Sequence, residues 1–151
     1  RILCLRSNSR MRMPANKRTD AYLDVVEQAG LSALVREVEF VKPDDEKGAV
    51  VAKILDENPD IDGIFAGDDT MAAICLNVMK QRGLSAPDDI KVVGADGARR
   101  TMTFMPDLTT VRQDIDRIGE LAAQSIIALI NGDNPETNIK LPVELIEGKT
   151  A

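Results

Sequence analysis

Two adjacent carboxylates, Asp68 and Asp69, stand at the junction between a short apolar run and a helix-compatible stretch, residues 70–82. Such a pair could bind a metal ion, transfer protons, cap the helix or accept hydrogen bonds from ligand hydroxyl groups. The two neighbours need not share a role. Asp69 directly precedes the helical stretch and is expected to cap it, whereas Asp68 is expected to point into a crevice.

Other polar side chains follow predicted strands or begin predicted helices. Ser7 and Asn8 come after the first strand and Asp96 comes after the fourth. Arg18 lies near the start of the first helix, and Gln113 ends a later extended segment. Because ligands bind at the carboxyl ends of parallel strands, these side chains are expected along one rim. Acids combined with a guanidinium and an amide suit a polyhydroxylated, sugar-like molecule.

The residue inventory narrows the chemistry. The chain has no histidine, which removes the commonest general base, the Ser-His and Cys-His nucleophile pairs and most zinc sites. The two glycine-rich motifs that bind phosphate groups, GxGxxG and GxxxxGK(S/T), do not occur in the sequence. Three carboxylates at one rim could still hold Mg²⁺, as in phosphoryl-transfer receiver domains, although those domains place the acidic pair after the first strand. We expect that the protein is not an enzyme and binds no cofactor. The alternative is that it is a small magnesium-dependent enzyme.

The bulk composition is that of a globular protein. The 151 residues are 44% hydrophobic and carry a net charge of -6, which offers no electrostatic footprint for nucleic acid. No apolar run approaches the roughly 20 residues of a membrane span, and no signal-peptide pattern opens the chain. Cys4 and Cys75 are expected to be free and buried, which suits a reducing compartment. The strand-like run directly after Arg1 suggests a fragment of a longer protein.

Hydrophobic periodicity predicts alternating strands and helices up to Asp96. Strands are predicted at 2–5, 33–41, 63–66 and 89–94, and helices at 17–29, 43–58 and 70–82, with a non-helical polar stretch at 6–16. Because parallel neighbours need crossover connections, this alternation predicts an α/β fold with a parallel sheet and helices on both faces. The alternation of strands and helices ends after Asp96, where the chain is expected to leave the first sheet. An extended segment at 108–113, an amphipathic helix at 115–131 and a final strand at 139–146 follow.

Three runs resemble the effector-binding region of LacI/GalR-type bacterial transcriptional repressors. They are GLSAPDDIKVVGADGA at 83–98, MPDLTTVRQD at 105–114 and LPVELIEGKTA at 141–151. The resemblance implies a type I periplasmic-binding-protein fold, in which two Rossmann-like subdomains close on a sugar or related small metabolite. Arg18, Asp68, Asp96 and Gln113 match ligand-contacting or cleft positions of that family. Candidate rim residues beside them are Ser7, Asn8 and Phe104. Of the three phenylalanines that could stack on a sugar face, Phe40, Phe65 and Phe104, Phe65 is expected in the core.

The resemblance also implies a domain organisation and a mechanism. Residues 1–107 would form the C-terminal subdomain, 108–135 a crossover and a helix of the N-terminal subdomain, and 136–151 a return strand and tail. A small-molecule effector, a sugar or sugar phosphate, would bias operator binding by a cytoplasmic homodimer, through an N-terminal helix-turn-helix that this chain lacks. The alternative is an exported sugar-binding protein of a transporter or chemoreceptor.

Overall fold

The fold is built on one mixed sheet. The computed structural model describes residues 1–8 and 14–151. Its strands are β1 (Ile2–Asn8), β2 (Leu34–Glu39), β3 (Gly63–Ala66), β4 (Lys91–Asp96), β5 (Thr109–Gln113) and β6 (Val143–Ile146). Their order across the sheet is β2-β1-β3-β4-β5-β6. Strands β1 to β5 run parallel, and β6 is antiparallel to β5.

Helices connect the strands and cover both faces of the sheet. They are α1 (Pro14–Gln28), α2 (Asp44–Glu57), α3 (Asp69–Gln81), α4 (Arg99–Phe104) and α5 (Ile115–Ile130). Alternation along β1 sends Leu3 and Leu5 into the larger core, which α2 and α3 cover, and sends Cys4 toward Tyr22 and Val26 of α1. The predicted α/β class is therefore confirmed. In the described part of the chain, no helix is both long and apolar enough to span a membrane.

Both cysteines lie inside this packing. Cys4 and Cys75 are buried and free, as the sequence predicts. Burial raises the pKa of the Cys75 thiol to about 12, so the reactive thiolate is scarce at neutral pH. Cys4 faces α1, and burial is also the main cause that raises its pKa. The two residues therefore act as small apolar groups of the core.

The start of the first helix differs from the prediction. Helix α1 begins at Pro14, inside the stretch predicted to be non-helical, and β1 continues to Asn8. Proline is well tolerated at the first helical position, where its missing N–H leaves no hydrogen bond unmade. Residues 9–13 of that stretch lie outside the described residues. Val25 is apolar but 66% exposed, because the buried stripe of α1 runs through Tyr22 and Val26, and Val25 lies roughly 100° around the helix from Val26.

The chain does not leave the sheet after Asp96. It passes through α4 and returns as β5, which pairs in parallel with β4 so that Val93 lies beside Thr109. No residue of α4 is buried, which explains why the sequence shows no hydrophobic period there. The departure comes later, after Gln113, and the chain returns as β6 with Val143 opposite Gln113.

The excursion between β5 and β6 carries the strongly amphipathic helix α5. None of the residues in α5 is buried, although its sequence has a clear apolar stripe. Ile126 and Leu129 are 60% and 51% exposed, and Ile130 is 79% exposed. Packing one such side chain contributes about 1.5–3 kcal/mol, so the helix leaves a large stabilising contribution unused.

We expect the 151-residue chain to self-associate through this stripe at micromolar concentration, because exposed apolar patches of this kind favour association. The substitution Ile126→Glu should shift the equilibrium toward monomer. Gln124→Glu adds the same charge at an exposed polar position of α5 and should leave association unchanged. Sedimentation velocity measures both. A monomeric wild-type chain whose α5 amides exchange freely would contradict this expectation.

Candidate functional site

A cavity of about 490 Å³ opens beside the carboxyl ends of β1, β3 and β4. Its wall includes Ser7 of β1, Asp68 after β3 and Asp96 of β4, together with Arg18 of α1. Strand β1 lies between β2 and β3, so the chain moves outward from β1 to β2 and then crosses back over β1 to β3, which reverses the direction of winding. Open α/β sheets bind ligands at such a switch point, and the volume is typical of small-molecule sites.

An ion pair between Arg18 and Asp96 forms part of the cavity wall. The Nη2 atom of Arg18 donates to Oδ1 of Asp96 at 2.6 Å, and Nη1 donates to the carbonyl oxygen of Gly67 at 2.5 Å. The side-chain amide of Gln113 donates to the same Oδ1 of Asp96 at 2.9 Å. The Arg18 and Asp96 side chains remain 24% and 35% exposed. Both charged groups are thus held in place by protein contacts and are still reachable by a ligand.

Asp68 has a double position, as a helix cap and as part of the cavity wall. Its Oδ1 accepts a hydrogen bond from the Met71 backbone N–H at 2.8 Å, which caps α3. The hydroxyl of Ser7 donates to its Oδ2 at 3.4 Å. The expectation that Asp69 caps this helix is wrong, because Asp68 is the last extended residue, with φ of -154°, and Asp69 is already helical.

Asp69 instead lies under the site. It is 3% exposed, its Oδ1 accepts from the Thr110 hydroxyl at 2.6 Å, and its Oδ2 accepts from the Gly97 backbone N–H at 2.8 Å. Burial raises the pKa of the Asp69 carboxyl above its ordinary value, against the opposing effect of these hydrogen bonds. The two adjacent carboxylates therefore serve different partners on different elements. Within residues 1–8 and 14–151, no cluster of three or more acidic or cysteine side chains could hold a metal ion.

The backbone that presents Asp96 is unusual. Asp96 has φ of 114° and Gly97 has φ of 59°, so two successive residues occupy conformations that L side chains rarely adopt. A Cβ on Gly97 would lie 2.6 Å from the Cα of Arg112. Only glycine fits at this point, and it lets the chain turn sharply enough for the Asp96 carboxylate to reach Arg18 and Gln113.

The structure separates the remaining predicted site residues. Gln113 reaches Asp96 but does not line this cavity. Asn8 is exposed at the end of β1 and also lies off the cavity wall, although its carbonyl oxygen accepts from the Phe40 backbone N–H at 3.0 Å. Phe104 is 75% exposed at the end of α4, and the structure does not bring it to the cavity.

Two other residues lie in the wall: Phe40, one of the phenylalanines that the sequence offers for stacking on a sugar face, and Lys47, for which the sequence predicts no role. Phe40 is 50% exposed and lines the cavity just after β2. Lys47 also lines it, with Nζ 5.9 Å from the centroid of the Phe40 ring and 3.2 Å from Oδ1 of Asp44. The available signal for Phe40 was an aromatic residue near the carboxyl end of the strand predicted at 33–41. An exposed ring at the rim can stack on an apolar ligand face.

The chain matches the periplasmic binding protein-like domain over residues 1–151. It is 32% identical over 148 residues to the sucrose operon repressor of Lactococcus lactis subsp. lactis, covering 98% of this chain and 45% of that protein. It is also 32% identical over 138 residues to the ribose operon repressor of Halalkalibacterium halodurans, covering 91% and 41%. The chain thus spans less than half the length of these relatives.

A solved structure shares the fold. It is a LacI family transcriptional regulator from Arthrobacter sp. FB24 in complex with lactose, at a TM-score of 0.82 and 25% identity, covering 99% of this chain and 56% of that one. Together with the operon repressors, this neighbour confirms the resemblance to LacI-type regulators that the sequence motifs indicate.

The buried carboxyl of Asp69 should make stability depend on pH. Because its folded pKa is raised, the folded protein binds the proton more tightly than the unfolded chain. The free energy of unfolding of the wild type, relative to Asp69→Asn, should therefore be highest below about pH 4 and fall as pH rises through the folded pKa, by at most about 1.4 kcal/mol per pH unit. Urea unfolding between pH 4 and 8 measures this.

Thr150→Val is the control for this measurement, because it removes a buried hydroxyl but no titratable group. Its difference from the wild type should stay constant with pH. A wild-type minus Asp69→Asn difference that is flat, or that rises with pH, would contradict the effect assigned to the Asp69 carboxyl.

Proposed function

The chain belongs to the periplasmic binding protein-like domain family, and we propose that it is the effector-binding part of a LacI-type transcriptional regulator. The observation that carries this proposal is the cluster of Arg18, Asp68 and Asp96 around one cavity, with Gln113 joined to Asp96. These groups come from four separate elements and converge at the switch point of the sheet.

The chemistry of the cavity favours a sugar or sugar phosphate. Carboxylate oxygens of Asp68 and Asp96 accept hydrogen bonds from vicinal hydroxyl groups, and the Arg18 guanidinium donates to ring or hydroxyl oxygens. The Phe40 ring offers a surface for the C–H face of a sugar. The names of the relatives, repressors of ribose and sucrose operons, and the lactose bound in the related structure support the same ligand class.

The cavity is one wall of a larger cleft in this proposal. Residues 1–107 form the C-terminal subdomain, 108–135 contain the crossover and a helix of the N-terminal subdomain, and 136–151 return to the first sheet. Since β5 stays in the sheet, the crossing itself follows Gln113. The exposed apolar stripe of α5 supports this arrangement, because the rest of the N-terminal subdomain would cover it.

The function is then a binding equilibrium without catalysis. The effector binds one relative arrangement of the two subdomains more tightly than the other, and this difference in affinity is what shifts the population. In a cytoplasmic homodimer, the shift changes the spacing of N-terminal DNA-binding heads and so the affinity for operator DNA. A helix-turn-helix encoded upstream of Arg1 would support this regulator, whereas a signal peptide there would favour an exported sugar-binding protein.

A sugar panel tests the binding site. We expect ribose, sucrose, lactose or one of their phosphates to raise the Tm of the full-length protein, because ligand at 100 times Kd stabilises by about 2.7 kcal/mol. Asp96→Ala should weaken that binding by about 10- to 100-fold, since hydrogen bonds to a charged group contribute about 1.5–3 kcal/mol. Thermal shift and isothermal titration calorimetry measure both effects.

Asp133→Ala is the matched control, because Asp133 is exposed in the turn after α5 and far along the chain from the cavity-lining residues. It should leave sugar affinity unchanged. A wild-type protein that responds to none of the panel, or an Asp96→Ala variant that binds as tightly as the wild type, would count against the proposal.

Phe40→Ala should lower affinity for the same sugar by up to about tenfold, because aromatic stacking contributes about 0.5–1.5 kcal/mol. Phe40→Tyr keeps the ring and should keep the affinity. Val41→Ala is the control: Val41 is 85% exposed, adjoins Phe40 and does not line the cavity. Equal affinities for Phe40→Ala and Val41→Ala would remove Phe40 from the binding surface.

A further inference from the structure

We propose that Asp69 is a positioning residue for the effector site: from beneath the cavity it fixes the turn that presents Asp96 and the strand that presents Gln113. This inference rests on the proposed function and assigns a role to the second member of the acidic pair. Asp69 is 3% exposed and does not line the cavity, so any effect on the ligand must pass through the residues it holds.

The two oxygens of Asp69 hold two different elements. Oδ2 accepts from the backbone N–H of Gly97, the residue directly after Asp96. Oδ1 accepts from the hydroxyl of Thr110 on β5, three residues before Gln113. Asp69 directly follows Asp68 in the chain, and Asp68 caps α3 and lines the cavity. One carboxylate therefore joins the three chain segments that carry Asp68, Asp96 and Gln113.

The turn after β4 is the part that most needs such a contact. Asp96 and Gly97 both have positive φ, and for a non-glycine residue this conformation persists only when surrounding contacts enforce it. The Gly97 N–H points at a buried carboxylate, so releasing it would leave a donor without a partner in the interior. With that bond lost, the turn can relax and carry the Asp96 carboxylate away from Arg18 and Gln113.

The surrounding residues leave a space shaped for this carboxylate. A Cβ on Gly94 of β4 would lie 2.5 Å from Oδ1 of Asp69, so β4 needs glycine at this position. The same carboxylate is nearly excluded from solvent, which opposes its ionised form and raises its pKa. The desolvation cost of burying a charged carboxylate offsets much of what its hydrogen bonds contribute to stability. The arrangement is explained better by geometry at the site than by stability.

The test uses Asp69→Asn, which replaces one of the two acceptor oxygens by an NH2 donor, so that either the bond from the Gly97 N–H is lost or the bond with the Thr110 hydroxyl is reversed. In the full-length protein we expect affinity for the sugar identified in the panel to fall by at least about tenfold. Thr150→Val is the matched control: it removes a hydroxyl that donates to the Val92 carbonyl at 2.7 Å and accepts from the Thr109 N–H at 2.9 Å. It involves the same two strands, near their amino ends, and should change affinity less than about twofold.

A second readout separates positioning from loss of stability. In the 151-residue chain, Asp69→Asn should shift the NMR signals of the Gln113 side-chain amide and the Arg18 Nε–H, and Thr150→Val should not. Where Asp69→Asn does not fold, Thr110→Val removes one partner of the carboxylate and should shift the Gln113 amide signal in the same direction. Unchanged Arg18 and Gln113 signals in the folded variant would overturn the inference.

The two proposals fail in different ways. If no sugar binds the wild type, the proposed function fails, and the NMR comparison still decides whether Asp69 positions Asp96 and Gln113. If a sugar binds equally to the wild type and Asp69→Asn, the effector site stands and the role of Asp69 is overturned.

Discussion

The ion pair between Arg18 and Asp96 is the contact on which the site depends. It links α1 on one face of the sheet to the end of β4, across the end of β3. The guanidinium also holds the Gly67 carbonyl, and the carboxylate also receives Gln113, so four elements meet at one pair of charges. Because the pair is only partly buried, it avoids most of the desolvation penalty of an interior ion pair and keeps hydrogen-bonding capacity for a ligand.

The sequence predicts this cluster because the positions of its residues follow from the topology of the sheet. Alternating strands and helices predict a parallel sheet, and the carboxyl ends of parallel strands share an edge, so Ser7, Asp68 and Asp96 are expected along that edge, where the cavity lies. The same reasoning failed where one backbone angle decides the outcome. Whether Asp68 or Asp69 caps α3 depends on which residue is first to become helical, and the sequence of two identical acids contains no signal for that.

The other misses have physical causes as well. Helix α4 buries no side chain, so it has no hydrophobic period, and the return of the chain as β5 could not be seen in the pattern. Phe40 and Phe104 are both exposed rings, and only the three-dimensional path of the chain separates the one at the cavity from the one outside it. Hydrophobic periodicity in the sequence indicates which residues are buried, but it does not indicate which exposed residues lie close together.

The register of β5 and β6 shows which segment of this protein could be replaced without disturbing the sheet. Gln113 and Val143 face each other in an antiparallel pair, so the whole segment from Asp114 to Pro142 is, in topology, a long hairpin loop between neighbouring strands. Closing such a loop depends only weakly on its length. The segment is therefore a module that a short β-turn or a foreign domain could replace while the six-strand register persists.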